Sequence, residues 1–266
     1  MSLQPFKDEE LNYLKFASIV LNEFPRALRQ TFRSMWDNTF GHLSGFQLWD
    51  DSIAVRSLFL GAERGKTKVP TNLSYEEWDC TALFKATIYA RSFALPDSAG
   101  HHKTLNDLYV TPRKLAHGSF HVSVMSPGGN DAETVALAID QLRLLRNSLC
   151  HSTSSEIVKA NFDQYVQLSK DAFKALGVKV DPIDAIGGLT ESDFPTKEVR
   201  KLEQAMKQET QAYIKFLEGV SSDIDELKGN VENTAKKEDI ARLELKINDQ
   251  KVQDKQGNTV YFIFVE

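Results

Sequence analysis

Cysteine is nearly absent from this chain of 266 residues, which contains only Cys80 and Cys150. Two cysteines cannot supply the disulfide framework on which small secreted domains depend, so the sequence favours a reducing, cytoplasmic setting. The N-terminus agrees, because acids stand where the apolar core of a signal peptide would lie. A zinc finger of the RING type is also excluded, since its cysteine set is missing.

Long apolar runs and an excess of basic residues are missing as well. No stretch reaches the roughly 18 to 20 apolar residues that cross a bilayer, so no membrane partner is expected. The formal net charge is -5 and the pI is about 5.8. This balance argues against a broadly basic nucleic-acid binder, and any contact with RNA would need a local basic patch.

The familiar catalytic signatures do not occur either. The chain has no Gly-x-Ser-x-Gly elbow, no Gly-x-Gly-x-x-Gly loop and no His-Glu-x-x-His helix. Four of the six histidines fall between residues 97 and 129, namely His101, His102, His117 and His121. No cysteine or clear acidic partner accompanies them, so we expect no metal and no other cofactor.

What the sequence does contain is helical periodicity, which predicts an all-α fold. Predicted helices cover residues 8–24, a run that begins at Pro25, and residues 52–60, 74–93, 130–150 and 158–176. Residues 97–129 show little periodicity, and so long a connection is expected to carry function or short elements of its own.

A change of composition divides the chain. We predict a helical domain over residues 1–177 and a linker over 178–195, where Pro and Gly collect. Residues 196–250 repeat apolar side chains at alternating steps of three and four, which fits either a short, imperfect coiled coil or one long helix folded back on the globular part. The tail, 251–266, is β-prone and compatible with the truncated start of another domain.

The predicted helix over residues 130–150 carries the candidate site. Asn130 and Glu133 are spaced as a capping box, and Arg146 and His151 lie near the other end. Five residues correspond to about 140° around a helix, so Arg146 and His151 converge only if the helix ends before His151. The alternative is a surface arginine and a histidine favoured by the helix dipole.

Residues 142–151, Leu-Arg-Leu-Leu-Arg-Asn-Ser-Leu-Cys-His, resemble the Arg-x4-6-His motif of HEPN domains, with Asn147 as the polar residue after the arginine. Roughly residues 20–175 are similar to the HEPN subgroup of DAZ-interacting zinc-finger proteins, whose larger relatives add a RING finger. Four other segments carry this resemblance: Phe24-Pro25-Arg26-Ala27-Leu28-Arg29, Gly45-Phe46-Gln47-Leu48-Trp49-Asp50, Glu77-Trp78-Asp79-Cys80-Thr81-Ala82-Leu83-Phe84 and Gly118-Ser119-Phe120-His121.

The resemblance implies an all-α bundle that acts as a metal-independent endoribonuclease. His151 would serve as general base or acid, Arg146 would stabilise the charge on the phosphorane, and Asn147 would orient the phosphate or the imidazole. Two such motifs face each other across a dimer in this family. One chain would therefore supply half a site, and residues 196–250 would favour the homodimer.

Contacts with RNA are expected from four further arginines. Arg26, Arg29 and Arg33 fall within about 60° of one another on a helix, and Arg143 lies near the motif. The simpler interpretation of the first three is a solvated charged face. The competing function is a non-catalytic dimerising adaptor or signalling module, which binds protein partners through its C-terminal helix.

Overall fold

A computed structural model describes residues 6–193 except 66, 68 and 153, together with 202 and 205–229 except 224 and 227. The chain divides into two compact units, Met1–Ala212 and Tyr213–Glu266. The described residues form an all-α fold with a single pair of two-residue strands. Most of the predicted coiled-coil segment after residue 223, and the whole tail 251–266, lie outside the described residues.

The first unit begins with one uninterrupted helical run. Helix α1 (Asp8–Ser18) passes through a π-helical turn (Ile19–Glu23) into α2 (Phe24–Phe40). Pro25 lies in the first turn of α2, as predicted, although no break separates α1 from α2. The backbone N–H of Phe24 donates to the carbonyl of Ile19, five residues back, and this wide turn accommodates the proline ring and its missing N–H.

The later elements are shorter until α5 is reached. In chain order they are α3 (Ile53–Ala62), a 3-10 turn (Tyr75–Glu77), α4 (Cys80–Ala86), β1 (Leu95–Pro96), β2 (His102–Lys103), helical turns over Asn106–Val110 and Thr111–Arg113, α5 (Asp131–Cys150), α6 (Lys159–Ala175), α7 (Asp181–Gly187) and a 3-10 turn (Glu191–Asp193). Strands β1 and β2 pair antiparallel. The connection 97–129 thus contains short elements, as predicted.

The helix predicted over residues 74–93 is broken in two. Ser74 and Glu77 form a capping box, but it opens only the 3-10 turn. Asp79 then caps α4 by accepting the N–H of Ala82 at 2.6 Å, because its short carboxylate can reach a free N–H of the first turn. Helix α4 ends at Ala86.

Two features organise the core. Around α2, the ring centroid of Phe32 lies 4.6 Å from that of Trp49 and 5.5 Å from that of Trp78. Helix α5 packs against α6 and is buried on every side through residues 136–142. Residues on all faces of this stretch of α5 meet other elements, so its burial exceeds that of an amphipathic helix with one apolar stripe.

The predicted linker contains structure. Gly177 ends α6 with a φ of 68°, the left-handed conformation expected of glycine after a helix. Val178 and Ile183 then enter the core, and Ile183 lies on α7. The first compact unit reaches Ala212, further along the chain than the predicted boundary at 177.

In the second unit, residues 213–223 are helical, and Leu217 is exposed. In the parts of the chain that the structure describes, no helix is long and apolar enough to cross a membrane.

Candidate functional site

The N-terminus of α5 is fixed by Asn130, whose side chain accepts the N–H of Glu133 at 3.0 Å. Asn130 is therefore the predicted cap, but the capping box does not close. The Glu133 carboxylate instead accepts hydrogen bonds from the hydroxyl of Ser126 and from Arg113. These two contacts, led by the hydroxyl, lower the pKa of Glu133.

Arg146 lies in the last turns of α5 and is only 1% exposed. Its Nε donates to Glu209 Oε1 at 2.9 Å, and its Nη2 donates to the main-chain carbonyl of Glu209 at 3.1 Å. Nη2 also reaches Thr81 Oγ1 at 3.1 Å, and Nη1 reaches Asn147 Oδ1 at 3.2 Å. The guanidinium is thus enclosed, and its anionic partner comes from 63 residues further along the chain.

Glu209 lies among residues 205–212, which are helical and belong to the first unit. Burial raises the pKa of its carboxyl, while the Arg146 charge opposes that rise. The carboxyl is therefore short of solvation in spite of its partner. The pair Arg146–Glu209 holds residues 205–212 against α5 through both a side chain and a main-chain carbonyl.

His151 lies in a different environment from Arg146. It is exposed, follows α5 as its C-cap, and donates its backbone N–H to the carbonyl of Asn147 at 2.9 Å. Helix α5 stays regular through Cys150 and ends one residue before His151. None of the hydrogen bonds of Arg146 given above involves His151.

Arg29, one of the arginines predicted to contact RNA, has a structural contact. Its guanidinium donates to the carbonyls of Tyr75 at 3.1 Å and of Glu76 at 2.6 Å. These carbonyls lie in the 3-10 turn before α4. Arg29 therefore ties that turn to α2, and its donors point at the chain's own backbone.

Arg26 and Arg33, on the same helix, each form an ion pair within α2 or the turn before it. Arg26 Nε lies 2.7 Å from Glu23 Oε2, and Arg33 Nε lies 3.8 Å from Asp37 Oδ2. Arg33 remains 59% exposed at its side chain. Neighbouring acids reduce the positive potential of this face, which weakens it as a binding surface for phosphates.

A second polar network lies in the middle of α5. Asp140 accepts from Arg143 Nε at 2.7 Å, and its other oxygen lies 2.7 Å from His121 Nε2. Gln141 accepts the backbone N–H of His121 at 2.9 Å. Arg143, the fourth arginine predicted to contact RNA, thus pairs with a buried carboxylate, and His121 anchors the long connection to the helix.

The roles of Glu209 and Asp140 were not predicted from the sequence, although each is a charged residue at a position where the pattern calls for an apolar one. Glu209 falls between Met206 and Tyr213 in the alternating steps of three and four, where an apolar residue is expected. Asp140 interrupts the apolar α5 between Ile139 and Leu142. A charged residue at a predicted core position calls for a buried partner elsewhere in the chain.

Comparisons of the chain with protein-family models, with curated proteins and with solved structures found no match in any of the three. Among the described residues, no three His, Cys, Asp or Glu side chains are grouped so that they could hold a metal ion.

Proposed function

We propose that the chain is a non-catalytic helical interaction module of the HEPN-like type, in which Arg146 is a structural residue. One observation carries this proposal: the guanidinium of Arg146 is buried and donates to Glu209 with both Nε and Nη2. Its role is then to hold residues 205–212 against the bundle.

The alternative function, cleavage of RNA, would require a different environment for the guanidinium of Arg146. A guanidinium that stabilises a phosphorane must be open to the phosphate, with the general base within hydrogen-bond reach of the ribose hydroxyl. Here Glu209 occupies the guanidinium, and His151 is exposed at the end of the helix. Cleavage would require residues 205–212 to leave Arg146, at the cost of breaking a buried ion pair.

The two functions are separated by incubating the purified chain with single-stranded RNA in the presence of a chelator. We expect no cleavage, a large loss of stability for Arg146→Ala, and a stable fold for His151→Ala. Cleavage of RNA in chelator would support nuclease function instead, provided that His151→Ala abolished the cleavage without lowering the melting temperature. General acid–base catalysis contributes about 10²- to 10⁴-fold, so the loss would be easy to measure.

The proposed partner surface is the C-terminal helix, and a second copy of the chain is its proposed partner. Leu217 supports this, because it is an exposed apolar residue on residues 213–223 and lies in the predicted coiled-coil stripe. Light scattering should find a dimer of the full chain at tens of micromolar.

Leu217→Lys should shift that equilibrium towards the monomer, because a charge would be buried in the seam. Glu218→Lys is the matched control, since it places the same side chain on the neighbouring exposed position. A monomeric wild-type chain, or equal effects of the two substitutions, would show that this helix does not mediate self-association.

A further inference from the structure

A cavity of about 690 Å³ opens beside the helical residues 205–211, between α1 and the end of α5. We call it the α1–α5 cavity. Its volume lies within the roughly 300 to 1,000 Å³ typical of small-molecule sites, and spaces between the helices of a bundle are a common location for such sites. Neither Arg146 nor Glu209 lines it, so it is distinct from the ion pair that holds the same helix.

The walls of the α1–α5 cavity differ in exposure. Leu14, Ala17 and Leu149 line it and are buried, so they form its deep end. Ser152 and Ser155 line it and are exposed, so they belong to its rim. A ligand that fits has an apolar body and a polar group at one end.

The charged side chains that line the α1–α5 cavity determine which polar group a ligand should carry. Two charged side chains line the cavity, Glu10 and Lys207. The Glu10 carboxylate accepts the backbone N–H of Lys7 at 2.8 Å, as part of the capping box of α1. Lys207 is exposed, and within the described part of the chain it forms no ion pair. The Glu10 carboxylate is thus engaged in the cap of α1, whereas the Lys207 ammonium is the charged group that a ligand can pair with.

We infer that the α1–α5 cavity binds an amphipathic carboxylate, whose apolar chain packs on Leu14, Ala17 and Leu149 and whose carboxylate pairs with Lys207. Such a ligand would touch α1, α5 and residues 205–211 together. By binding only the state in which the three are assembled, it stabilises the attachment of residues 205–211 to α1 and α5 by mass action. This inference is independent of the proposed adaptor function.

Cys150 supplies an internal reporter of occupancy. It lines the cavity and is half-buried, whereas Cys80, the only other cysteine, is buried. Burial raises the pKa of both thiols, so labelling is carried out at mildly alkaline pH, where thiolate forms. Peptide mapping then assigns the label to Cys150.

The experiment titrates dodecanoate, below its micelle concentration, into the full chain and follows both binding heat and the rate of Cys150 labelling. We expect saturable binding and slower labelling in parallel. Dodecyltrimethylammonium, which has the same chain length and the opposite charge, should protect Cys150 at least tenfold less well. Lys207→Glu should weaken dodecanoate binding about tenfold, which corresponds to about 1.4 kcal/mol.

Lys215→Glu is the matched control, because it makes the same change at another exposed lysine, one that does not line the cavity. It should bind dodecanoate as the wild type does. The inference is overturned if no saturable binding occurs, if binding leaves Cys150 labelling unchanged, if the ammonium protects equally, or if Lys207→Glu and Lys215→Glu behave alike.

Discussion

The two polar networks of α5 attach distant segments to the same helix in opposite ways. In the first, the helix supplies a buried anion, Asp140, which has two partners, His121 and Arg143. In the second, the helix supplies a buried cation, Arg146, which pairs with Glu209. The Arg143 side chain is 28% exposed and can share its charge with water, while the Arg146 guanidinium is enclosed.

The two networks differ in what remains when one partner of the buried charge is removed. Asp140 keeps one partner if the other is removed, and a carboxyl can also take up a proton. Arg146 cannot lose its charge at any accessible pH. The cost of removing one member should therefore be larger in the second network, where an uncompensated buried charge results.

The largest expected effect is that of Glu209→Ala. Removing one partner of a buried ion pair costs about 3–5 kcal/mol, and we expect a loss of this size in urea unfolding of the full chain. The double substitution Arg146→Met with Glu209→Leu should recover most of that loss, because apolar residues can replace a buried pair at little cost. A loss below about 1 kcal/mol, typical of exposed pairs, would contradict the assignment of a buried pair.

A smaller loss is expected for Asp140→Asn. The amide keeps an acceptor for one neighbour but weakens both charge-assisted contacts, so the cost should be about 1–3 kcal/mol. Hydrogen exchange should accelerate at the amide of His121, whose segment this network anchors. Exchange at residues 205–212 should stay unchanged, and faster exchange there would mean that the two networks act as one unit.

The pH dependence of stability should have opposite signs at two glutamates of ordinary pKa 4.5. The pKa of Glu133 is lowered by the Ser126 hydroxyl and Arg113, so its contribution is present above 4.5 and is lost as the pH falls through the folded-state value. The pKa of Glu209 is raised by burial, so its contribution declines as the pH rises from 4.5 through the folded-state value.

Urea unfolding across a pH series should show that Glu133 and Glu209 affect the pH dependence of stability in opposite directions. Glu133→Gln should flatten the rise in stability on the acid side, whereas Glu209→Gln should remove the decline above 4.5. Slopes that change in the same direction for the two variants would refute the contrast.

The smallest effect is expected for His151→Ala. Because His151 is exposed and follows the end of α5, its truncation should change the free energy of unfolding by no more than about 0.5 kcal/mol. Calorimetric melting, with Arg146→Ala as the comparison, provides the measurement. Comparable losses for the two variants would mean that His151 and Arg146 form one structural unit after all.

The sequence predicted the all-α fold and most of its helices because local periodicity and caps carry that information. The N-cap at Asn130 and the left-handed Gly177 are examples in which a single residue type fixes a boundary. Pro25 correctly indicated the first turn of α2, but no residue pattern showed that a π-helical turn joins α1 to α2 without a break. The break before α4 was missed for a similar reason, because Asp79 was not considered as a cap.

The candidate site was predicted less well, because its chemistry depends on contacts between distant residues. Arg146 reads as a catalytic or surface residue until Glu209 is placed beside it, and periodicity cannot place two segments against each other. The same limit applies to the RNA-binding face. The partners of Arg29 are backbone carbonyls, which no sequence pattern identifies.

The distance along the chain between Arg146 and Glu209 also sets an order of events during synthesis. At the usual elongation rates of about 5–20 residues per second, the 63 residues between them take roughly 3–13 s to be added. His121 and Asp140, 19 residues apart, become available together within about 1–4 s. The nascent bundle can therefore fasten its long connection early, but Arg146 must stay hydrated until the C-terminal part of the first unit is made. A ribosome that stalls in this interval would leave the guanidinium of Arg146 without Glu209. The synthesis of Glu209 is therefore the step that allows Arg146 to be buried in the first unit.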